Sequence, residues 1–239
     1  MKYSLVGLGK MSTAVDEAAT RLGHQRVGGV SRLANEPAIA DQIGVPDVVF
    51  EFTAPGAGPR HVQQLVDAGL KVVCGTTGWE VSEDLATQLR ASSAAALVHA
   101  ANFSIGMTLF RRGVRALTRE ASTRHGYLPT LEEVHHLQKL DRPSGTALRL
   151  ADDIVANDPA LAGWRFSDDR VDDTKLSIHV ERIGATPGTH RVRFSSPDDT
   201  ITMEHCAHGR SGFARGAVAA GEYLLGRTGL HDFEQVLEA

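Results

Sequence analysis

Five short apolar runs in the first hundred residues, with helical patterns in several of the gaps, constrain this chain more than any other feature. Tyr3 to Val6, Val27 to Val30, Val48 to Phe52, Lys71 to Cys74 and Ala96 to His99 are strand-like; Met11 to Leu22, Pro59 to Ala68 and Ser82 to Ser93 have helical periodicity. Strands that alternate with helices pair through crossovers rather than hairpins, so the expectation is a parallel sheet. Helices then cover both faces.

After Asn102 the pattern changes. A long helix is expected over Ile105 to Ala121, then a strand near Thr130 to His135 and a helix from about Gly145 to Ala156. Three strand-like runs follow, Leu176 to Ile183, His190 to Phe194 and Thr200 to His205, with turn signals at Ala185-Thr186-Pro187-Gly188 and Ser196-Pro197-Asp198-Asp199. Short turns between successive strands favour a mixed or antiparallel sheet. Leu161 to Lys175 is polar enough to suggest a long mobile loop, and a last helix, Phe213 to Leu225, ends at Gly226 before a short tail.

The expected fold is therefore α/β in two domains, residues 1–102 built on a parallel sheet and residues 103–212 with an α+β arrangement around a mixed sheet. The C-terminal segment, about 213–239, is expected to return to the first domain.

A 239-residue chain with 42% apolar and 23% charged residues has ordinary globular composition. Its formal charge of -4, with no basic run, argues against a nucleic-acid partner. The N-terminus runs straight into a strand pattern without a leader, and no apolar run reaches membrane-spanning length, so a cytoplasmic protein with no membrane partner is expected. Cys74 and Cys206 both lie in apolar stretches and read as buried hydrophobes.

Val6-Gly7-Leu8-Gly9-Lys10-Met11-Ser12 follows the first strand and opens the first helix, as a dinucleotide-binding turn must. Gly7 permits the tight turn, Gly9 lets the backbone approach a pyrophosphate, and the helix N-terminus supplies N–H groups. Ser12 replaces the usual third glycine but is small enough to keep helix and strand close. An acid that would bind a ribose 2′-hydroxyl is missing after the second strand, where Gly29-Val30-Ser31-Arg32 stands instead. Arg32, helped by Lys10, suits a 2′-phosphate, so NADPH is expected to be preferred or at least accepted alongside NADH. Phe52-Thr53-Ala54-Pro55 and Gly75-Thr76-Thr77-Gly78 lie at carboxyl ends of strands, where open α/β sheets place ligands.

Glu133 to Ala147 sets His135, His136 and Lys139 ahead of a helix start at Ser144-Gly145-Thr146, which Pro143 stiffens. Imidazole exchanges protons near neutral pH, an ammonium offsets carboxylate charge, and helix N–H groups bind anions. A small dicarboxylate suits all three. His190, His205 and His208 lack a nearby carboxylate or Cys pattern in the sequence, so no metal site is expected.

These motifs, with Ala101-Asn102-Phe103-Ser104 and the run from His205 to Ala217, make the chain similar end to end to the 4-hydroxy-tetrahydrodipicolinate reductase family. The His-His-x-x-Lys-x-Asp-x-Pro-Ser-Gly-Thr-Ala segment is the most specific part. The resemblance departs at Ser12, at Glu51 where Asp is commoner, and at Arg142 where Ala is commoner. It implies an NAD(P)H-dependent oxidoreductase of lysine and diaminopimelate biosynthesis, with a Rossmann-like dinucleotide-binding domain over residues 1–102 and a substrate and oligomerisation domain over 103–212, built as a homotetramer and acting on a cyclic dicarboxylate. By resemblance, His135 and Lys139 are catalytic, while His136, Gly145 and Thr146 bind substrate. Gly7, Gly9, Lys10, Met11, Arg32, Phe52, Thr53, Gly75, Thr76, Thr77, Ala101, Asn102, Phe103 and Arg210 are expected to bind cofactor, although Arg210 also suits substrate charge or domain closure. Two alternatives remain open: another two-domain dehydrogenase, of aspartate or diaminopimelate type, and a non-catalytic dinucleotide sensor.

Overall fold

The structure, a computed structural model, describes residues 1–31 and 42–239, apart from the side chains of residues 122–124. Its contacts divide into one unit of Met1–Ile105 with Arg210–Ala239, and another of Gly106–Gly209.

In the first unit, strands β1 (Lys2–Val6), β2 (Gln25–Val30), β3 (Val48–Glu51), β4 (Lys71–Cys74), β5 (Ala96–His99) and β11 (Gly229–His231) form a sheet in the order β11-β5-β4-β3-β1-β2. All its pairings are parallel. Continuous apolar strands such as Val48-Val49-Phe50 make sense here, because both faces are covered and every side chain is buried. Alternation within β1 assigns the faces: Tyr3 and Leu5 join one cluster with Val15, Ala217 and Leu224, while Val6 joins another with Val62, Leu65 and Leu89.

Helices α1 (Lys10–Arg21) and α6 (Ser211–Leu224) contribute to the first cluster, and α2 (Gly58–Asp67) and α3 (Glu83–Ala91) to the second. Ser82 caps α3 by accepting the Leu85 N–H. Ser12 is fully buried against this sheet, as close helix–strand packing requires.

The second unit holds a mixed five-stranded sheet in the order β10-β9-β6-β8-β7. Its strands are β6 (Leu128–His135), β7 (Gly163–Phe166), β8 (Lys175–Arg182), β9 (Thr189–Ser195) and β10 (Thr200–Cys206). Strand β6 runs parallel to β8 and antiparallel to β9. Helices α4 (Ile105–His125) and α5 (Gly145–Asn157) complete its core. In α5, Ala147, Leu150, Ala151 and Ile154 recur at helical spacing and are fully buried. Full burial of a side chain such as Leu150 contributes about 1.5–3 kcal/mol.

Three expectations are corrected. The segment expected as a mobile loop, Leu161 to Lys175, contains β7, a half-buried edge strand paired with β8 whose side chains show no alternation to betray it. The tail after Gly226 adds the three-residue β11 to the first sheet, then the short helix α7 (Phe233–Val236), where Asp232 and Gln235 form a capping box. Cys206 is exposed, because it ends an edge strand with one uncovered side, whereas Cys74 is buried. Among the described residues, no helix is long and apolar enough to cross a membrane.

Candidate active site

In the first unit, the loops at the carboxyl ends of β1, β3, β4 and β5 enclose a cavity of about 350 Å³. Gly9, Lys10, Met11, Phe52, Thr53, Gly75, Thr76, Thr77, Ala101, Asn102 and Phe103 all line it. These are separate stretches of sequence that only a parallel sheet brings to one edge. Phe213, at the start of α6, lines it too and was missed, since nothing in a lone aromatic at a helix start signals a ligand.

Gly7 lies behind the turn, at φ +88°, and a Cβ there would stand 2.2 Å from the Phe52 carbonyl oxygen. Only glycine makes that turn. Gly9 is exposed with open space around it, so a phosphate can approach the backbone at the start of α1. The turn, the helix N-terminus and the cavity therefore fit a dinucleotide. Arg210 is exposed immediately before α6 and is not among the lining residues, and Arg32 lies outside the described residues.

The second unit gathers titratable side chains at the end of β6. Strand register sets Glu133 opposite His190 on β9 and His135 opposite Arg182 on β8. Glu133 and His135 share a face, because strand side chains alternate. The fully buried Glu133 carboxylate accepts from Arg182 Nη2 at 2.9 Å and from the Ser144 backbone N–H at 3.0 Å. His135 Nε2 and His190 Nε2 stand 3.8 and 3.7 Å from its other oxygen.

This corrects the expectation that His190 has no neighbouring carboxylate. Sheet pairing supplies one from 57 positions earlier in the chain. Ligand atoms of Glu133, His135 and His190 lie within 4.8 Å of one another. The Arg182 guanidinium already neutralises that carboxylate, which favours proton handling over a cation there.

Burial works to raise the Glu133 carboxyl, but the neighbouring His190 and the hydrogen bonds from Ser144 and Arg182 outweigh it and hold the group at about 2. His135 is pushed down to about 4, chiefly by burial and then by the neighbouring His190, Lys139 and Arg182, with Glu133 opposing. In the free protein its imidazole is therefore neutral at physiological pH. A dicarboxylate placed beside it would add negative charge and favour its protonation.

Lys139 Nζ pairs with Asp141 at 2.8 Å, and Arg182 Nε donates to the Lys139 carbonyl at 3.3 Å, which ties the loop after β6 to β8. His136 is half-buried just past the strand, where its carbonyl accepts the Lys139 N–H at 3.1 Å. Ser144 caps α5 by accepting the Ala147 N–H at 3.1 Å, which leaves Gly145 exposed and Thr146 half-buried in the first turn.

Gly188, at φ +152°, passes so close to His135 that a Cβ would stand 2.7 Å from ring atom Cε1. Gly188→Ala is expected to displace that ring and, with His135 as the expected proton donor, slow turnover by roughly tenfold or more, since small misplacements of such a group are costly. NADPH affinity, measured by fluorescence titration, should stay the same. Unchanged turnover would mean the ring position is immaterial.

Two family models cover the chain: "Dihydrodipicolinate reductase, N-terminus" matches residues 1–103 and "Dihydrodipicolinate reductase, C-terminus" matches residues 106–237. The chain belongs to the dihydrodipicolinate reductase family. Within it, a 4-hydroxy-tetrahydrodipicolinate reductase of Christiangramia forsetii is 34% identical over 99% of this chain and 98% of its own length. One from Natronomonas pharaonis is 33% identical over 99% and 100%. A dipicolinate-bound dihydrodipicolinate reductase from Paenisporosarcina sp. TG-14 shares the fold, with a TM-score of 0.75 and 20% identity over 97% of each chain.

Proposed function

We infer that this protein is an NAD(P)H-dependent oxidoreductase that reduces 4-hydroxy-tetrahydrodipicolinate to tetrahydrodipicolinate with loss of water, in lysine and diaminopimelate biosynthesis. The observation that carries this reading is the match to the family over both halves of one chain. The cavity at the sheet edge of one unit and the proton-handling cluster of the other support it. NAD(P)H supplies hydride. Gly7, Gly9 and the N-terminus of α1 hold its pyrophosphate, and Phe52, Thr53, Gly75, Thr76, Thr77, Ala101, Asn102 and Phe103 hold the rest.

Hydride addition leaves an electron-rich ring that must gain a proton, and His135 or the Lys139 ammonium donates it. Lys139 offsets the charge of the substrate carboxylates, and the first turn of α5 at Gly145 and Thr146 binds one of them. His136 borders the same substrate. The reaction balances as substrate, NAD(P)H and one proton giving product, NAD(P)+ and water. A sensor that only bound dinucleotide would have no use for a carboxylate that organises two histidines and an arginine.

The test is oxidation of NADPH and NADH, followed with enzymatically generated substrate. Turnover is expected with at least one of them, with inhibition by pyridine-2,6-dicarboxylate. Binding of NADPH without turnover would favour the sensor, and turnover indifferent to the inhibitor would favour a different dehydrogenase. The ratio of the two specificity constants, compared between wild type and Arg32→Ala, tests the 2′-phosphate role of Arg32.

The protein is proposed to work in the cytoplasm as a homotetramer. Edge strand β10, which pairs only with β9 in this sheet, leaves a side that a second copy can cover. Light scattering on the same preparation would give the mass of four chains.

A further inference from the structure

The stretch from His136 to Pro143 joins β6 to α5 and carries Lys139. Apolar burial does little to hold it: Leu137 is 68% exposed and Leu140 95%, and only Pro143, at the far end, is buried. The path of this loop therefore rests on polar contacts. The Leu137 N–H donates to the Gly184 carbonyl at 3.2 Å, and the Lys139 N–H to that of His136 at 3.1 Å. Arg182, from β8, donates to the carbonyls of Lys139 and Asp141. A segment held by a few solvent-facing hydrogen bonds belongs to the low-stability end of a fold.

One further contact runs the other way, from the loop to the sheet. Arg142 Nη2 donates to the Val180 carbonyl at 3.3 Å. Its guanidinium carbon stands 6.0 Å from the centroid of the Phe166 ring, at the outer reach of a cation–π contact. Two contacts, on β8 and on the end of β7, thus fix where this exposed side chain lies.

The Val180 carbonyl is open to the loop because β7 is short. In a parallel ladder the backbone groups of successive residues address the two neighbouring strands in turn. The Ile178 carbonyl accepts the Ser167 N–H at 2.9 Å, just past the end of β7, and the last β7 pair is Phe166 with Ile178. Val180 comes two residues later on the same edge, beyond that last pair, and Arg142 takes its carbonyl. Lys139 and the first turn of α5 flank Arg142 in the chain, so a shift of this loop displaces both groups assigned above to the substrate carboxylates.

We propose that Arg142 is a positioning residue for the reaction: fastened to the open edge of β8 and to Phe166, it holds in place the loop that carries Lys139. This rests on the reductase reading above, which gives Lys139 its substrate. Arg142 acts through the loop and not as a charge on the ligand.

The experiment compares wild type with Arg142→Ala in two measurements. Calorimetry gives the affinity for pyridine-2,6-dicarboxylate and for NADPH, and hydrogen exchange read by mass spectrometry follows residues 137–141 in the ligand-free protein. In the variant, dicarboxylate affinity is expected to fall about threefold to fivefold, roughly the worth of one hydrogen bond, with NADPH affinity unchanged. Exchange in residues 137–141 should quicken by a similar factor, while β6 and β9 exchange as in wild type.

Unchanged dicarboxylate affinity overturns the proposal. A loss of affinity without faster exchange in the loop makes Arg142 a direct contact of the ligand, and faster exchange throughout the second unit makes it merely structural; either result overturns it. If wild type neither binds the dicarboxylate nor turns over substrate, the reductase reading itself fails, a result that needs no variant.

Discussion

Replacing His135 with Gln is expected to slow turnover by about 10²–10⁴, the scale on which a general acid or base contributes, while NADPH affinity changes little. The separation of effects follows from where the groups lie. His135 ends β6 of the second unit, and the cavity residues expected to hold the cofactor belong to the first. Equal losses of affinity and turnover would make His135 a structural residue.

Its protonation gives a second readout. Because burial, His190, Lys139 and Arg182 hold the free imidazole at about 4, a dicarboxylate that draws a proton onto it must take that proton from solvent. Binding of pyridine-2,6-dicarboxylate near neutral pH should therefore be accompanied by proton uptake, measured by calorimetry in buffers of different ionisation enthalpy. Uptake should vanish in His135→Gln. If wild type shows none, His135 stays neutral and Lys139, paired with Asp141, is the donor.

Arg182→Ala is expected to destabilise the second unit by roughly 3–5 kcal/mol, the usual result of removing one partner from a buried ion pair. Glu133 is fully buried and the Arg182 side chain is only 15% exposed, so solvent screens the pair little. The double variant Glu133→Gln/Arg182→Met should lose less than the sum of the single changes, since no buried charge is left behind. Urea unfolding measures both, and simple additivity would mean the two groups are not coupled.

The pH dependence has a defined sign. Glu133 titrates near 4.5 when unfolded and at about 2 when folded, so its contribution is present above 4.5 and is lost as pH falls from there through about 2. His135 adds loss in the same direction. The unfolded imidazole takes up its proton around 6.5 and the folded one only around 4, so stability declines as pH falls across that interval. In Arg182→Ala the Glu133 carboxyl loses a donor and its folded value rises toward the unfolded one, so its acid-dependent contribution shrinks.

The strands that form the first sheet show how far local pattern reaches. Lys71–Cys74 and Ala96–His99 are found with both ends in place, because fully buried parallel strands are continuous apolar runs. Gly163–Phe166 and Gly229–His231 escape notice, since half-buried edge strands of three or four residues carry neither alternation nor a long apolar run. In the site, the histidines and Lys139 are visible as a local motif. Glu133 offered one overlooked signal: an acid at an inward position of a strand whose inward neighbour Leu131 is core.

Sequence alone determined the fold class, the glycine turn and the cluster of proton-bearing residues ahead of α5, because each depends on residues within a few turns of chain. Only the tertiary structure decided what those residues can do. Register across three strands gives Glu133 its arginine and its second histidine and sets His135 neutral. Burial at the end of β3 leaves the Glu51 carboxylate as the acceptor of the Thr53 hydroxyl. Both depend on desolvation, and Glu133 depends also on an arginine 49 residues away, so neither is a property of the local sequence.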